Sequence, residues 1–232
     1  MKQIDLLSVS TPSSEMKRID KIRRFTTTER LLHWSFVLPQ IVLMITGGWM
    51  LAFASQSGES AVKVNLVMIH KVAAACFVTA PFLVLMNGDA KTLIKNMRLA
   101  LSWNRSDLQW FFRSFMKIIV PSTTLPEVGK FNAGQKLNML IVMILGIVFT
   151  VSGLLMWFLD GVLMAWIIHA VAFLIVSFVV LGHVYMAILH PSTRPSFWAI
   201  INGNVDREWA NHHHPRWAKE LEKTDADEVK NP

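Results

Sequence analysis

Apolar residues in this chain fall into four long stretches, roughly Leu31–Phe53, Val62–Met86, Leu137–Leu159 and Val162–Leu189, separated by polar segments. A helix needs about 20 apolar residues to cross ~30 Å of hydrocarbon. Only helices and closed barrels satisfy every backbone polar group in lipid, and the period-two alternation of strands is absent here. The pattern predicts an all-α integral membrane protein, a four-helix transmembrane bundle spanning residues 31–190. The fourth stretch is longer than a span requires, which predicts tilt or protrusion at one end.

The polar segments carry their own pattern. Between the second and third spans, residues 87–136 contain "LIKNMRLALS" and "DLQWFFRSFMKIIV", which mix apolar and basic residues. They predict two amphipathic helices in the membrane interface, with Lys and Arg reaching outward. Pro121 and Pro126 end the second of them. The N-terminal segment, residues 1–30, is polar and lacks the apolar core of a cleaved signal peptide. The C-terminal segment, residues 191–232, reads as a polar tail. In it Trp209 and Trp217 are expected to anchor at lipid headgroups, and Pro215 to open a short amphipathic helix.

Charge orients the spans. Of the 232 residues 53% are hydrophobic and only 17% charged, against about 25% charged in ordinary soluble domains. Lys17, Arg18, Lys21, Arg23, Arg24 and Arg30 precede the first span. Lys91, Lys95, Arg98, Arg105, Arg113, Lys117, Lys130 and Lys136 lie between the second and third, and Arg194, Arg207, Arg216 and Lys219 follow the fourth. The connections at 54–61 and 160–161 contain no Lys or Arg. By the positive-inside rule the chain is a multi-pass protein of the cell inner membrane, with both termini and the middle segment cytoplasmic. The net charge of +7 then reflects topology and contact with anionic lipid, and needs no nucleic acid. A single cysteine, Cys76, excludes an intrachain disulfide, CxxCH haem attachment and cysteine-rich iron–sulfur sites.

Within these apolar spans stand four histidines. His33 opens the first span and His183 lies late in the fourth, both toward the cytoplasm. His70 and His169 lie toward the outside, so depth alone sorts the four into two pairs. His169 and His183 are fourteen residues apart. That spacing separates them by about 21 Å along the helix and only ~40° around it. Imidazole is a good axial ligand for haem iron. Two histidines from different helices could clamp each porphyrin, stacking two haems b across the bilayer. Gly47 follows His33 by fourteen residues and sits at the depth of the outer pair, where it would let a porphyrin edge approach. Ala172, Val176 and Val180 line the same side of the fourth span. Ordinary close packing of membrane helices explains small residues equally well.

The histidines leave two alternatives open. A lone intramembrane His is often a packing residue, and a metal-ion pathway would also use imidazoles. No Asp or Glu interrupts the four apolar cores, whereas a Zn²⁺ pathway usually brings carboxylates. His190, seven residues after His183, lies about 31 Å from His169 along the helix and is expected at the interface. His212–His214 read as a solvated polar turn that could also bind metal or protonate at lower pH.

"ERLLHW", "GKFNAGQK", "GHVYMAILH" and "HHHPRWAKELEK" resemble the cytochrome b, or gamma, subunit of membrane-bound respiratory formate dehydrogenases. The resemblance runs from about Arg23 to Lys223. The His-Trp pair and the fourteen-residue spacing are shared with the cytochromes of nickel–iron hydrogenases. The resemblance implies haem ligation by His33 with His183 and by His70 with His169. It also implies a quinone site, for menaquinone or ubiquinone, beside Asn132 and Gly134, with Gln135 a further candidate. It implies partners too: an iron–sulfur (beta) subunit outside, fed by a molybdenum or tungsten catalytic (alpha) subunit. Electrons would cross to quinone near the cytoplasm and help build a proton-motive force, with no formate chemistry in this chain. From the residues alone, Asn132 also reads as a helix cap. "IHKVAAA" departs from the family's His-Pro pattern, leaving Lys71 to pair with a haem propionate or to reach outward. A hydrogenase or sulfur-compound partner, a passive anchor and a metal transporter remain the competing functions.

Overall fold

The computed structural model describes residues 20–53, 61–159 and 162–230. Its helices are α1 (Thr27–Ala52), α2 (Ala61–Asn87), α3 (Ala90–Leu101), α4 (Arg105–Ile119), α5 (Ala133–Phe158), α6 (Leu163–Val184), α7 (Pro195–Asn202), α8 (Arg207–His213) and α9 (Pro215–Lys230). Two three-residue strands, β1 (Lys21–Arg23) and β2 (Asn204–Asp206), complete the described part. Helices α1, α2, α5 and α6, the last continued to Leu189, are long and apolar enough to cross a membrane. They coincide with the four predicted spans. Large apolar side chains stand outward along all four, such as Ile45, Phe82, Ile147 and Phe178. So much exposed apolar surface is tolerated in lipid and not in water.

The spans form two antiparallel hairpins, α1 with α2 and α5 with α6, joined chiefly where α1 meets α6. Ala172 and Val176 of α6 are buried against Leu145 of α5, with Val180 partly buried beside them. These residues pack one helix against its neighbour. Small side chains let the two backbones approach closely.

Both segments predicted between the second and third spans are helical. Lys91, Lys95, Arg98, Arg113 and Lys117 on α3 and α4 are exposed. Two basic residues of this region are not. Lys136 is almost fully buried, with its Nζ 3.0 Å from Asp107 of α4 and 2.8 Å from the Ser102 carbonyl. Lys130 binds Glu29. Charge counting in a sequence cannot separate solvated basic residues from these paired ones.

The C-terminal segment is a folded cap, not a tail. β1 pairs antiparallel with β2, setting Ile22 opposite Val205. Ile22, Ala199, Val205, Ala210, Trp217 and Ala218 form one buried cluster, with Phe25, Trp209 and Leu221 packed on it. Trp217 is thus a core residue, correcting its expected place at the headgroups. Trp209 is half-buried, its indole N–H donating to the Ser192 carbonyl at 2.8 Å. The strands were invisible as alternation because each has only one inward residue. Gly203 makes the turn between α7 and β2 at φ 95°, and its carbonyl accepts from Arg24 N at 2.8 Å. A Cβ there would strain the backbone and crowd the Phe25 carbonyl at 2.9 Å.

Candidate functional site

The bundle brings the four histidines together in two pairs. His33 of α1 and His183 of α6 have ring centroids 6.3 Å apart. His70 of α2 and His169 of α6 are 6.4 Å apart. Two imidazoles bonded trans to one metal, at about 2 Å per metal–nitrogen bond, hold their centroids about 6 Å apart. Both pairs have this separation, and α6 spaces them by about 21 Å. Among the described residues no three His, Cys, Asp or Glu side chains are placed to hold one metal ion. The donor set is thus two separate imidazole pairs, which suits axial ligation of two flat groups.

Each pair is seated differently. At the His33/His183 pair, His33 lies edge-on to Trp34 at 5.4 Å, and Trp34 donates to the Ile200 carbonyl of α7 at 3.3 Å. His33 Nδ1 is buried without a hydrogen-bond partner. At the His70/His169 pair, His70 Nδ1 lies 2.7 Å from Thr46 Oγ1 of α1. His169 Nδ1 lies 2.9 Å from Ser152 Oγ of α5. A glycine follows each hydroxyl residue. A Cβ on Gly47 would meet His70 Cε1 at 3.3 Å, and one on Gly153 would meet His169 Cε1 at 3.7 Å. Gly47 therefore makes room for the imidazole itself. Neither Thr46 nor Ser152 was singled out from the sequence. The signal was available: "TGGWM" and "SGLLM" repeat a hydroxyl, a glycine and a methionine at equal spacing in the first and third spans.

Asn132, Gly134 and Gln135 lie together where α5 begins. Asn132 is its N-cap: its side-chain oxygen accepts from Gln135 N at 2.9 Å, and the Gln135 side chain accepts from Asn132 N at 3.0 Å. This reciprocal box satisfies two donors that a helix start otherwise leaves open. Gly134 faces Trp110 of α4, which a Cβ would meet at 3.5 Å. The loop before Asn132 is tied to the start of α1. Lys130 Nζ lies 2.5 Å from Glu29 Oε1, one turn before His33. Burial lowers the Lys130 pKa, against the carboxylate of Glu29, which raises it. Asn132 and the His33/His183 pair therefore share one end of the bundle.

Two further residues depart from expectation. His214 is only 2% exposed, so the triple-histidine stretch is not a solvated turn; of the three, only His212 is exposed. His214 Nδ1 donates to the Gly129 carbonyl at 2.8 Å, and Arg24 Nη2 donates to its Nε2 at 2.9 Å. Burial, then the Arg24 charge, push its pKa down to about 3. Arg24 is 2% exposed, not a solvated inside charge. Its guanidinium lies 5.1 to 5.4 Å from the rings of Phe25, Trp209 and Trp217, and burial lowers its pKa to about 9. The Lys71 ammonium stands 5.1 Å over the Trp157 ring. His190 hydrogen-bonds Ser192 at 3.0 Å, beyond a π-helical turn at Tyr185–Leu189.

The description "Prokaryotic cytochrome b561" belongs to a family whose model matches residues 24–203. The chain is 32% identical over 131 residues to the cytochrome b556(Fdn) subunit of nitrate-inducible formate dehydrogenase of Escherichia coli (strain K12). That match covers 53% of this chain and 59% of the relative's length. It is 28% identical over 222 residues to the cytochrome b556(fdo) subunit of formate dehydrogenase from the same strain, covering 90% and 97% of the two chains. The cytochrome b556 subunit of Haemophilus influenzae formate dehydrogenase is 26% identical over 222 residues, covering 89% and 86%. These relatives bear out the resemblance carried by the sequence motifs.

Proposed function

Given that the chain belongs to the prokaryotic cytochrome b561 family, we propose that it is the dihaem membrane subunit of a formate dehydrogenase-type complex. Membership itself makes it an integral inner-membrane protein, a haem b cytochrome acting in electron transfer. The observation that carries the finer reading is the pair of histidine pairs at 6.3 and 6.4 Å. His33 with His183 would hold one haem and His70 with His169 the other. Bound haem iron supplies one-electron chemistry that no side chain here can supply.

The chain's own part is placement. Helix α6 contributes one ligand to each pair and so fixes their separation. Helices α1 and α2 supply the opposite ligands, and the apolar walls of the bundle keep water away. The complex takes electrons from an iron–sulfur subunit at the end away from the cap, supplied by a molybdenum or tungsten catalytic subunit. It delivers them at the cap end, assigned to the cytoplasm by the excess of Lys and Arg there. Quinone reduction consumes two electrons and two protons, and protons drawn from that side add to the proton-motive force. Asn132, Gly134 and Gln135 stand at this end. A quinone needs a donor for each carbonyl; the Asn132 side-chain N–H₂ is free to serve, since its oxygen holds the cap.

Pyridine haemochrome analysis of the purified chain tests the reading. The expected result is close to two haems per polypeptide, extractable by acid acetone. A colourless but folded protein would overturn it. The partner identified in the intact complex decides whether formate is the reductant.

A further inference from the structure

We infer that Thr46 and Ser152 are positioning residues for the outer site: their hydroxyls fix the tautomer of His70 and His169 and lower that site's reduction potential. The inference rests on haem ligation by this pair.

The geometry leaves each hydroxyl one role. Thr46 Oγ1 donates to the Val42 carbonyl at 2.7 Å, with Leu43 O a second acceptor at 3.3 Å. Ser152 Oγ donates to the Val148 carbonyl at 2.6 Å, with Phe149 O at 3.4 Å. With its single proton on that carbonyl, each hydroxyl keeps no donor for the ring. Only lone pairs remain to face the imidazole. In that arrangement His70 Nδ1 at 2.7 Å and His169 Nδ1 at 2.9 Å carry the protons and donate. Nε2 of each ring then carries the lone pair that a metal needs.

Back-bonding of Ser and Thr to a carbonyl one turn earlier is common in membrane helices and needs no histidine. Two facts go beyond it. Both hydroxyls are buried, at 4% and 3% exposure, and both lie within hydrogen-bond distance of a ring nitrogen of the neighbouring helix. The arrangement also occurs twice, once in each hairpin: first helix hydroxyl, second helix histidine, and a glycine next to the hydroxyl that admits the ring. The inner pair differs, because His33 Nδ1 has no partner. A hydrogen bond accepted from Nδ1–H makes imidazole a stronger donor through Nε2. A stronger donor favours the oxidised metal and so lowers the potential.

The test uses the full chain in its complex, with haem content, optical redox titration and the low-spin ferric EPR spectrum as readouts. The outer component is the one that persists in His183→Ala. Thr46→Val and Ser152→Ala should raise the midpoint of that component and shift its EPR signal, leaving the other unchanged. Thr46→Ser and Ser152→Thr should restore both. Loss of the outer haem in Ser152→Ala with retention in Ser152→Thr also supports the inference. Two haems with wild-type midpoints in Thr46→Val and Ser152→Ala would overturn it while leaving haem ligation standing. Absence of haem from the wild-type chain would instead sink the ligation reading itself.

Discussion

Glu29 and Lys130 meet 2.5 Å apart and almost out of reach of water, one helical turn before His33. Glu29 Oε1 also accepts from Asn96 at 2.5 Å, and Oε2 from Thr26 N at 2.6 Å. One carboxylate therefore binds the start of α1, the middle of α3 and the loop entering α5. Breaking a buried pair leaves an uncompensated charge, which costs several kcal/mol. Lys130→Met or Glu29→Gln should each destabilise the protein by on the order of 3 kcal/mol. The double variant should recover part of that loss. Thermal unfolding in detergent, followed by circular dichroism, checks the cycle; wild-type melting of both single variants would show that the pair contributes nothing.

His183→Ala should remove one haem of two, and His190→Ala should remove none. His183 faces His33 at 6.3 Å, whereas His190 lies past the π-helical turn and is bonded to Ser192. Haem per polypeptide in the two variants decides. If loss of His190 halves the content and loss of His183 does not, the ligand assignment is wrong.

Asn132→Ala should do two separable things. It removes the cap of α5, which costs about 1 kcal/mol. It also removes the amide proposed to face quinone. The cap loss alone lowers thermal stability and leaves electron delivery intact. A lost quinone contact keeps both haems reducible from upstream and slows their reoxidation severalfold in stopped flow. Wild-type reoxidation at saturating and subsaturating quinone would reduce Asn132 to a cap.

The cap should loosen in acid. His214 is held near 3 in the fold, against about 6.5 when unfolded. Below about 6.5 the unfolded chain takes up a proton that the folded chain refuses. Stability from this group is complete above that value and falls as the pH drops toward 3. The slope is up to about 1.4 kcal/mol per pH unit. Tryptophan fluorescence of Trp209 and Trp217 should report the loosening. His213, whose pKa burial also lowers, contributes in the same direction. His214→Gln should flatten the acid limb, and an unchanged slope would exclude His214 as its source.

The spans and the histidine pairing were legible because a membrane reduces the problem to one dimension. Apolar length fixes each helix, and depth along it sorts His33 with His183 and His70 with His169. The cap was not legible, because its contacts join residues almost two hundred positions apart. Arg24 looks like any inside charge until Phe25, Trp209, Trp217 and His214 are brought around it. Ala172, Val176 and Val180 share a face with the histidines, yet which neighbour each meets turns on a few tens of degrees of azimuth. Helical angle from sequence is too coarse for that choice. Thr46 and Ser152 fall between these cases: their repeated Thr-Gly and Ser-Gly pattern is visible, but its meaning depends on which histidine each hydroxyl meets.

The short ribbon of Lys21–Arg23 with Asn204–Asp206 has a consequence for how the protein is made. Its first strand leaves the ribosome before any span, and its second only after all four. The strands can meet only if an even number of crossings lies between them. A chain in which one span fails to insert strands its two ends on opposite faces of the membrane. The ribbon then stays open, and Trp217, Val205 and Ile22 have no shared core to enter. Closing the ribbon is thus a parity check on membrane insertion, failed by any chain that misses an odd number of crossings.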